Sequence, residues 1–245
     1  MATQRVPTTE ILERLSQMYP DAKCALNHND AFELLVATVL SAQCTDARVN
    51  IVTGRMFPQY NKPEHFAALT VDQIGEMIKD CGLWQNKAKN IQALSRIVLE
   101  KHGGEVPAHM DDLVELPGVG RKTANVVLSN AFGVPAIAVD THVFRVSNRL
   151  GLANAGTVDE TEQQLMRRIP RELWSPAHHW LIHHGRQICD ARKPRCSECP
   201  LLDLCKFGQA AQKDAAKAAK ADAKRLTKSG VSKAGRARKG AAPKE

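Results

Sequence analysis

Apolar residues return every third or fourth position through most of this chain, and that spacing restricts its fold more than any other feature. Thr9–Met18, Asp30–Gln43, Asp46–Phe57, Asn86–Lys101, Arg121–Phe132, Thr141–Leu150, Thr157–Ile169 and Ser175–Ile188 all repeat near i, i+3 and i+4, the stripe that a helix buries. Boundary residues agree. Thr70-Val-Asp-Gln73 has the form of a capping box, Asp30 stands ahead of Phe32–Leu40, and Gly82 closes a helix over Thr70–Cys81. Apolar and polar residues nowhere alternate as a half-buried strand requires, and the one extended candidate is Val134–Val139. The expectation is an all-α body, and 245 residues suffice for one large core or two modest ones.

The charge is unevenly placed. From Gly208 onward eight lysines and three arginines face Asp214, Asp222 and Glu245, so the whole formal charge of +8 lies there and residues 1–207 are neutral. Basicity therefore does not mark the body as a nucleic-acid binder; local patches must carry that argument. After Phe207 the composition collapses to Ala, Lys, Gly and Ser, and AAQKDAAKAAKADAKR has no apolar face to bury. Residues 208–245 read as a disordered basic tail, either a solvated extension or an arm drawn to DNA phosphates. No run of about 18 apolar residues exists to span a membrane. The segment MATQRVPTTEILERL lacks the apolar core of a signal peptide, so the expectation is a cytoplasmic protein.

Seven cysteines in such a chain argue against a disulfide framework. Four of them, Cys189, Cys196, Cys199 and Cys205, follow a C-x6-C-x2-C-x5-C pattern. Soft thiolates at this density select zinc or an iron–sulfur cluster, and spacing leaves the two open. Cys24, Cys44 and Cys81 are isolated and read as small buried apolar residues. Between the first two ligands Arg192, Lys193 and Arg195 stand on a short loop. They either offset the charge of the thiolates or contact phosphates from a pinned loop; the second reading is preferred.

Leu116–Val127, LPGVGRKTANVV, places Gly118, Val119 and Gly120 before a helix whose first residues are Arg121 and Lys122. The glycines allow close backbone approach, and exposed amides at a helix start suit a phosphate. Cations there are odd, because a helix N-terminus carries about half a positive charge. The bland reading of Lys122 is a phosphate partner. The sharper one is a lysine whose charged form is disfavoured by the helix, by Arg121 and by partial desolvation, and which acts as a nucleophile able to form Schiff bases. Such a lysine needs a proton acceptor. The helix from Lys122 climbs roughly 15 Å, and about six extended residues return a similar distance at roughly 3.3 Å each. Asp140 is the only carboxylate between Glu115 and Asp159, and this path brings it back beside Lys122; it also suits a helix N-cap.

These residues resemble the endonuclease III family of DNA glycosylase/AP lyases. LPGVGRKTANVV looks like the family's helix-hairpin-helix with its catalytic lysine at Lys122, AVDTHVFRV like its catalytic-aspartate segment at Asp140, and the four cysteines like its [4Fe–4S] ligands. The similarity covers residues 8 to 207. It implies a six-helix barrel over 23–133, and a cluster lobe formed by 1–22 with 134–207. It further implies a bifunctional enzyme of base excision repair that removes oxidised pyrimidines from damaged double-stranded DNA and cuts the strand by β-elimination. It would act as a monomer, in the cytoplasm and associated with the nucleoid. In LSAQCTDARVN, Gln43 stands where the family fills the space of an extruded nucleotide; in CGLWQNKAKN, Leu83 stands where it wedges the opposite strand. Without the resemblance these would read as a helix-end polar residue and a half-buried leucine. Trp84 reads equally as core or platform. His178, His179, His183 and His184 share one helix, but no HExxH motif completes a zinc site, and they read as structural or surface residues. An adenine-specific mismatch glycosylase is the nearest rival, but it lacks the lysine and uses a carboxylate in the segment matching Leu34–Ala42, where this chain has none. A non-catalytic DNA-docking module is the rival from another class.

Overall fold

The computed structural model describes residues 7–236, with side chains described through residue 221. Among the described residues the chain is helical and contains no strand. In chain order the helices are α1 (Thr8–Met18), α2 (Ala31–Ser41), α3 (Asp46–Met56), α4 (Pro63–Ala68), α5 (Val71–Ile78), α6 (Trp84–His102), α7 (Met110–Val114), α8 (Arg121–Ala131), α9 (Thr141–Leu150), α10 (Val158–Arg168), α11 (Trp174–Gln187) and α12 (Lys206–Arg236). Two capping signals act as read: Asp30 accepts from Glu33 N–H at 2.8 Å, and Thr70 and Gln73 complete a capping box. Each such cap contributes about 1 kcal/mol. The third signal does not: α5 ends at Ile78 with Lys79 as its C-cap, short of Gly82. The short helix α4 has no counterpart in the periodicity; Pro63 at its first turn starts it.

Two apolar cores form. Helices α2 to α8 surround the first, with α2 buried on all sides from Phe32 to Leu40. The second joins α1, α9, α10 and α11 with Leu201 and Cys205. The segment Val134–Val139 is extended but pairs with no strand. Successive side chains on extended backbone point to opposite sides: Ala136 and Ala138 enter the first core, Ile137 and Val139 the second. The seam between the cores thus runs along this segment.

The structure describes the first part of the tail expected from Gly208 as helix: α12 continues to Arg236. Its first turn is anchored, with the Arg149 guanidinium 4.3 Å over the Phe207 ring and Gly208 N–H donating to Cys205 Sγ at 3.4 Å. Beyond Ala211 its side chains are exposed as far as they are described. Alanine and lysine have high intrinsic helix propensity, so an apolar face is not needed to select the conformation. Residues 237–245 of that tail, and 1–6 of the N-terminal segment, lie outside the described residues.

Candidate active site and metal centre

The turn before α8 is built around Gly118, whose φ of +81° is a left-handed conformation. A Cβ there would also meet Asn90 Nδ2 at 2.7 Å. Val119 is buried in the first core, and its N–H donates to Leu116 O at 3.0 Å, so this amide is used within the hairpin. Gly120 caps α8 without a side chain, leaving the first turn of the helix open. Lys122, in that first turn, is exposed, so the partial desolvation expected for it is absent.

Arg121 differs from the expectation of a DNA-facing cation. Its guanidinium forms a forked pair with Glu162 of α10, Nη2 to Oε1 at 2.6 Å and Nε to Oε2 at 3.1 Å. Glu162 is 5% exposed and also accepts from Asn125 Nδ2 at 3.2 Å. A buried carboxylate requires such partners. The pair ties the start of α8 in the first core to a helix of the second.

Asp140 caps α9 through one oxygen: Oδ1 accepts from His142 N–H at 2.8 Å and Val143 N–H at 2.7 Å. Lys122 and Asp140 line one cleft between the two cores, together with Ser41, His178, His179 and His183. Asp46 of α3 and Arg186 of α11 close one side of it with an ion pair at 2.8 Å. His178 is buried and His179 largely so, while His183 is partly open. Burial lowers the pKa of His178 to about 3, helped by the neighbouring His179 and by Lys122, and burial lowers that of His179 to about 4. Both stay neutral at pH 7, and His179 Nε2 pairs with Asn130 Oδ1 at 3.0 Å.

Gln43 and Leu83 share a property that no sequence pattern announces. Among the described residues they are the two non-glycine residues with positive φ, at 53° and 58°. Left-handed backbone is uncommon outside glycine, and such strain gathers at functional sites. Gln43 is exposed, and Leu83 is 55% exposed despite its apolar side chain. Gln43 therefore lies beyond the end of α2, which stops at Ser41 rather than running to Gln43. Trp84, left open between core and platform, packs against α5, with a ring carbon 2.6 Å from where a Cβ on Gly75 would stand.

Cys189, Cys196, Cys199 and Cys205 line one apolar cavity with Leu150, Ile188 and Leu202. A Cβ on Gly208 would lie 3.7 Å from both Cys196 Sγ and Cys205 Sγ and 3.0 Å from Leu202 Cδ1. Gly208 therefore walls this site rather than opening the tail. Four thiols on one apolar cavity are the soft donor set that holds an iron–sulfur cluster. The surroundings complete the fit. Arg149 Nη1 reaches Cys189 Sγ at 3.4 Å, and Cys199 Sγ is 3.7 Å from His184 Nε2. Tyr19 Oη lies 3.2 Å from His184 Nδ1, and burial lowers the His184 pKa to about 4, which keeps the ring neutral.

The loop between the first two ligands is fastened by Asp190 Oδ1, which accepts from Arg192 N–H at 2.8 Å and Lys193 N–H at 2.9 Å. Arg149 holds it from below through Asp190 O at 2.6 Å and Ala191 O at 2.8 Å. Arg192 and Lys193 are exposed. Arg195 is engaged within the chain, by Glu198 at 3.3 Å and by Gln187 O.

Comparison with known proteins agrees with this geometry. Residues 36–171 match the family described as HhH-GPD superfamily base excision DNA repair protein, and residues 189–205 match the iron-sulfur binding domain of endonuclease III. Endonuclease III of Bacillus subtilis (strain 168) is 57% identical over 199 residues, which is 81% of this chain and 91% of that protein. A solved non-covalent endonuclease III–DNA complex superposes with a TM-score of 0.81 at 50% identity, covering 85% of this chain and all of that one. A trapped endonuclease III–DNA covalent intermediate superposes at 0.80, also at 50% identity and with the same coverage.

Proposed function

We propose that this chain, which belongs to the endonuclease III family within the HhH-GPD superfamily of base excision DNA repair proteins, uses Lys122 and Asp140 to remove oxidised pyrimidines from DNA and cut the strand. It is a bifunctional DNA N-glycosylase and AP lyase with an iron–sulfur cluster. The observation that carries the assignment of residues is the cleft that joins Lys122, on the first turn of α8, to Asp140, at the start of α9.

Duplex DNA crosses this cleft and a damaged base is extruded into it. Extrusion costs a few kcal/mol of stacking, which inserted side chains partly restore. Gln43 enters the vacated space and Leu83 wedges the opposite strand; both stand exposed on left-handed turns. The open amides before α8, with Arg192 and Lys193, hold the phosphates. Lys122 Nζ attacks C1′ of the sugar, and the bond from C1′ to the base breaks. Asp140 receives the proton released by the amine, or stabilises positive charge developing on the sugar. Oδ1 already accepts two backbone N–H groups, so Oδ2 is the oxygen left to serve. The sugar ring opens to an imine on Lys122, and loss of the C2′ proton expels the 3′ phosphate. The neutral imidazoles of His178 and His179 add no positive charge against the lysine.

Cys189, Cys196, Cys199 and Cys205 would hold the [4Fe–4S] cluster, which when bound cross-links the end of α11 to the start of α12 and takes no part in the sugar chemistry. One copy supplies both walls of the cleft, which supports a monomer. No helix among the described residues is long and apolar enough to cross a membrane.

Borohydride added to protein and a duplex bearing thymine glycol tests the assignment. A covalent adduct should form, and Lys122→Ala should abolish both adduct and incision while DNA binding is largely retained. An adduct that persists in Lys122→Ala would place the nucleophile elsewhere.

A further inference from the structure

His184 meets the candidate cluster site twice. Its carbonyl accepts from Cys189 N–H at 2.8 Å, and its ring nitrogen Nε2 lies 3.7 Å from Cys199 Sγ. The other ring nitrogen, Nδ1, lies 3.2 Å from Tyr19 Oη. Tyr19 is the C-cap of α1 and stands 165 positions from His184 in the chain. His184 is 1% exposed and Tyr19 7%, so bulk water does not compete for these contacts. Two other thiols also have donors: Arg149 Nη1 lies 3.4 Å from Cys189 Sγ, and Gly208 N–H donates to Cys205 Sγ at 3.4 Å. A guanidinium and a backbone amide are donors in any surroundings. An imidazole nitrogen donates only when it carries the proton.

Ligation by Cys199 fixes where that proton sits. A thiolate has no hydrogen to give, so Nε2 carries the proton and donates to Cys199 Sγ. Neither partner of the buried ring is a carboxylate, and the ring stays neutral. Its lone pair is then on Nδ1, which accepts from Tyr19 O–H. The order runs from phenol to imidazole and from imidazole to sulfur. Each donation polarises the next, so the phenol strengthens the bond to the thiolate. In the sequence His184 belonged to a row of four histidines and Tyr19 to no motif.

A hydrogen bond to a cluster sulfur draws negative charge from it and favours the more reduced member of a redox couple. We propose that Tyr19 and His184 form a hydrogen-bond chain onto Cys199 Sγ that raises the reduction potential of the [4Fe–4S] cluster. The chain gives the site a property beyond cross-linking α11 to α12, and it rests on Cys199 being one of the cluster's ligands.

The test titrates the cluster of the holoprotein against redox dyes under argon and follows its visible absorbance. In His184→Phe the reduced-to-oxidised ratio at a fixed poise should fall about tenfold, a downward shift of about 59 mV for one electron. Tyr19→Phe removes one hydroxyl and keeps both rings, and should shift the potential in the same direction by less. His184→Gln should restore most of the native value, because its amide N–H can take the place of Nε2–H; a role in packing alone would give no such rescue. Cys199→Ala should lose the cluster absorbance. If that absorbance persists unchanged, the ligand assignment falls and this proposal with it. With the ligand role upheld, an unchanged potential in His184→Phe overturns the chain alone. Should His184→Phe lose its cluster, Tyr19→Phe decides in its place, and an unchanged potential there overturns the chain.

Discussion

In the first core α2 is buried on every side from Phe32 to Leu40, whereas in the second α10 buries only Thr161, Glu162 and Leu165 of its eleven residues. The barrel is held by apolar packing around a central helix. The cluster lobe has a smaller core, and its C-terminal stretch from Ile188 to Cys205 contains only the short 3-10 turn Cys196–Glu198 as regular structure. Where packing is thin, cross-links and charge networks carry more of the stability. Four thiols, the Arg149 contacts to the loop, and the Arg121–Glu162 pair all lie on that side or lead to it. The two halves should therefore fail differently.

The largest effect is expected at the cluster. Binding free energy of a structural metal centre is folding free energy, on the order of 10 kcal/mol in small domains. Cys199→Ser should lower the melting of the cluster lobe while the barrel stays folded, giving two transitions where the native protein should show one. Amide exchange would locate the change: protection should be lost in α9 and α11 and retained in α2 and α6. Uniform loss across all four helices would mean that the halves are one cooperative unit, and the comparison would break.

A smaller effect is expected where the halves join. Arg121→Ala leaves Glu162 buried with only Asn125 to satisfy it. Arg121 is itself about half exposed, so solvent screens part of the attraction, and the loss should be about 2 kcal/mol, chiefly from the stranded carboxylate. Arg121→Ala with Glu162→Leu should recover most of it. DNA binding separates this role from the phosphate contact expected from sequence: the salt slope should be unchanged, whereas a lost phosphate contact would reduce it by about 1.

The barrel was the more legible half, because a helix that buries a stripe or its whole circumference writes that fact in its periodicity. Asp30, Thr70 and Thr157 cap as their residue types suggest. Features that depend on distant partners were not legible. Nothing in the residues around Gln43 and Leu83 foretells positive φ, since neither is glycine or asparagine. Arg121 looked free because Glu162 is 41 positions away. The extended character of Val134–Val139 was visible, but its apolar run gave no sign that two cores would take alternate side chains. The Ala/Lys tract beyond Phe207 lacked an apolar face, which argued for disorder, yet local propensity alone favours the helix observed. Lys122 and Asp140 were found through the motif that contains them, and the cleft then brought in the histidines that the motif omits.

Those histidines give the smallest expected effect and test whether the cleft belongs to the stability of both halves. Burial keeps His178 and His179 neutral, with pKa values of about 3 and about 4 against an ordinary 6.5. An unfolded chain protonates both as pH falls below 6.5, while the native state does not. Their contribution is therefore complete above pH 6.5 and is lost on acidification, each adding about 1.4 kcal/mol per pH unit to the slope. His179→Gln, which keeps a donor for Asn130 Oδ1, should flatten the stability profile between pH 6.5 and 4 by about that amount and leave stability at pH 7.5 nearly unchanged. In the two-transition Cys199→Ser protein the slope has a location as well as a size. If the flattening follows only the melting of the cluster lobe, α11 carries its histidines as part of that lobe. Flattening in both transitions would show that the cleft is buried jointly, and that the barrel relies on the weaker half to keep its open face dry.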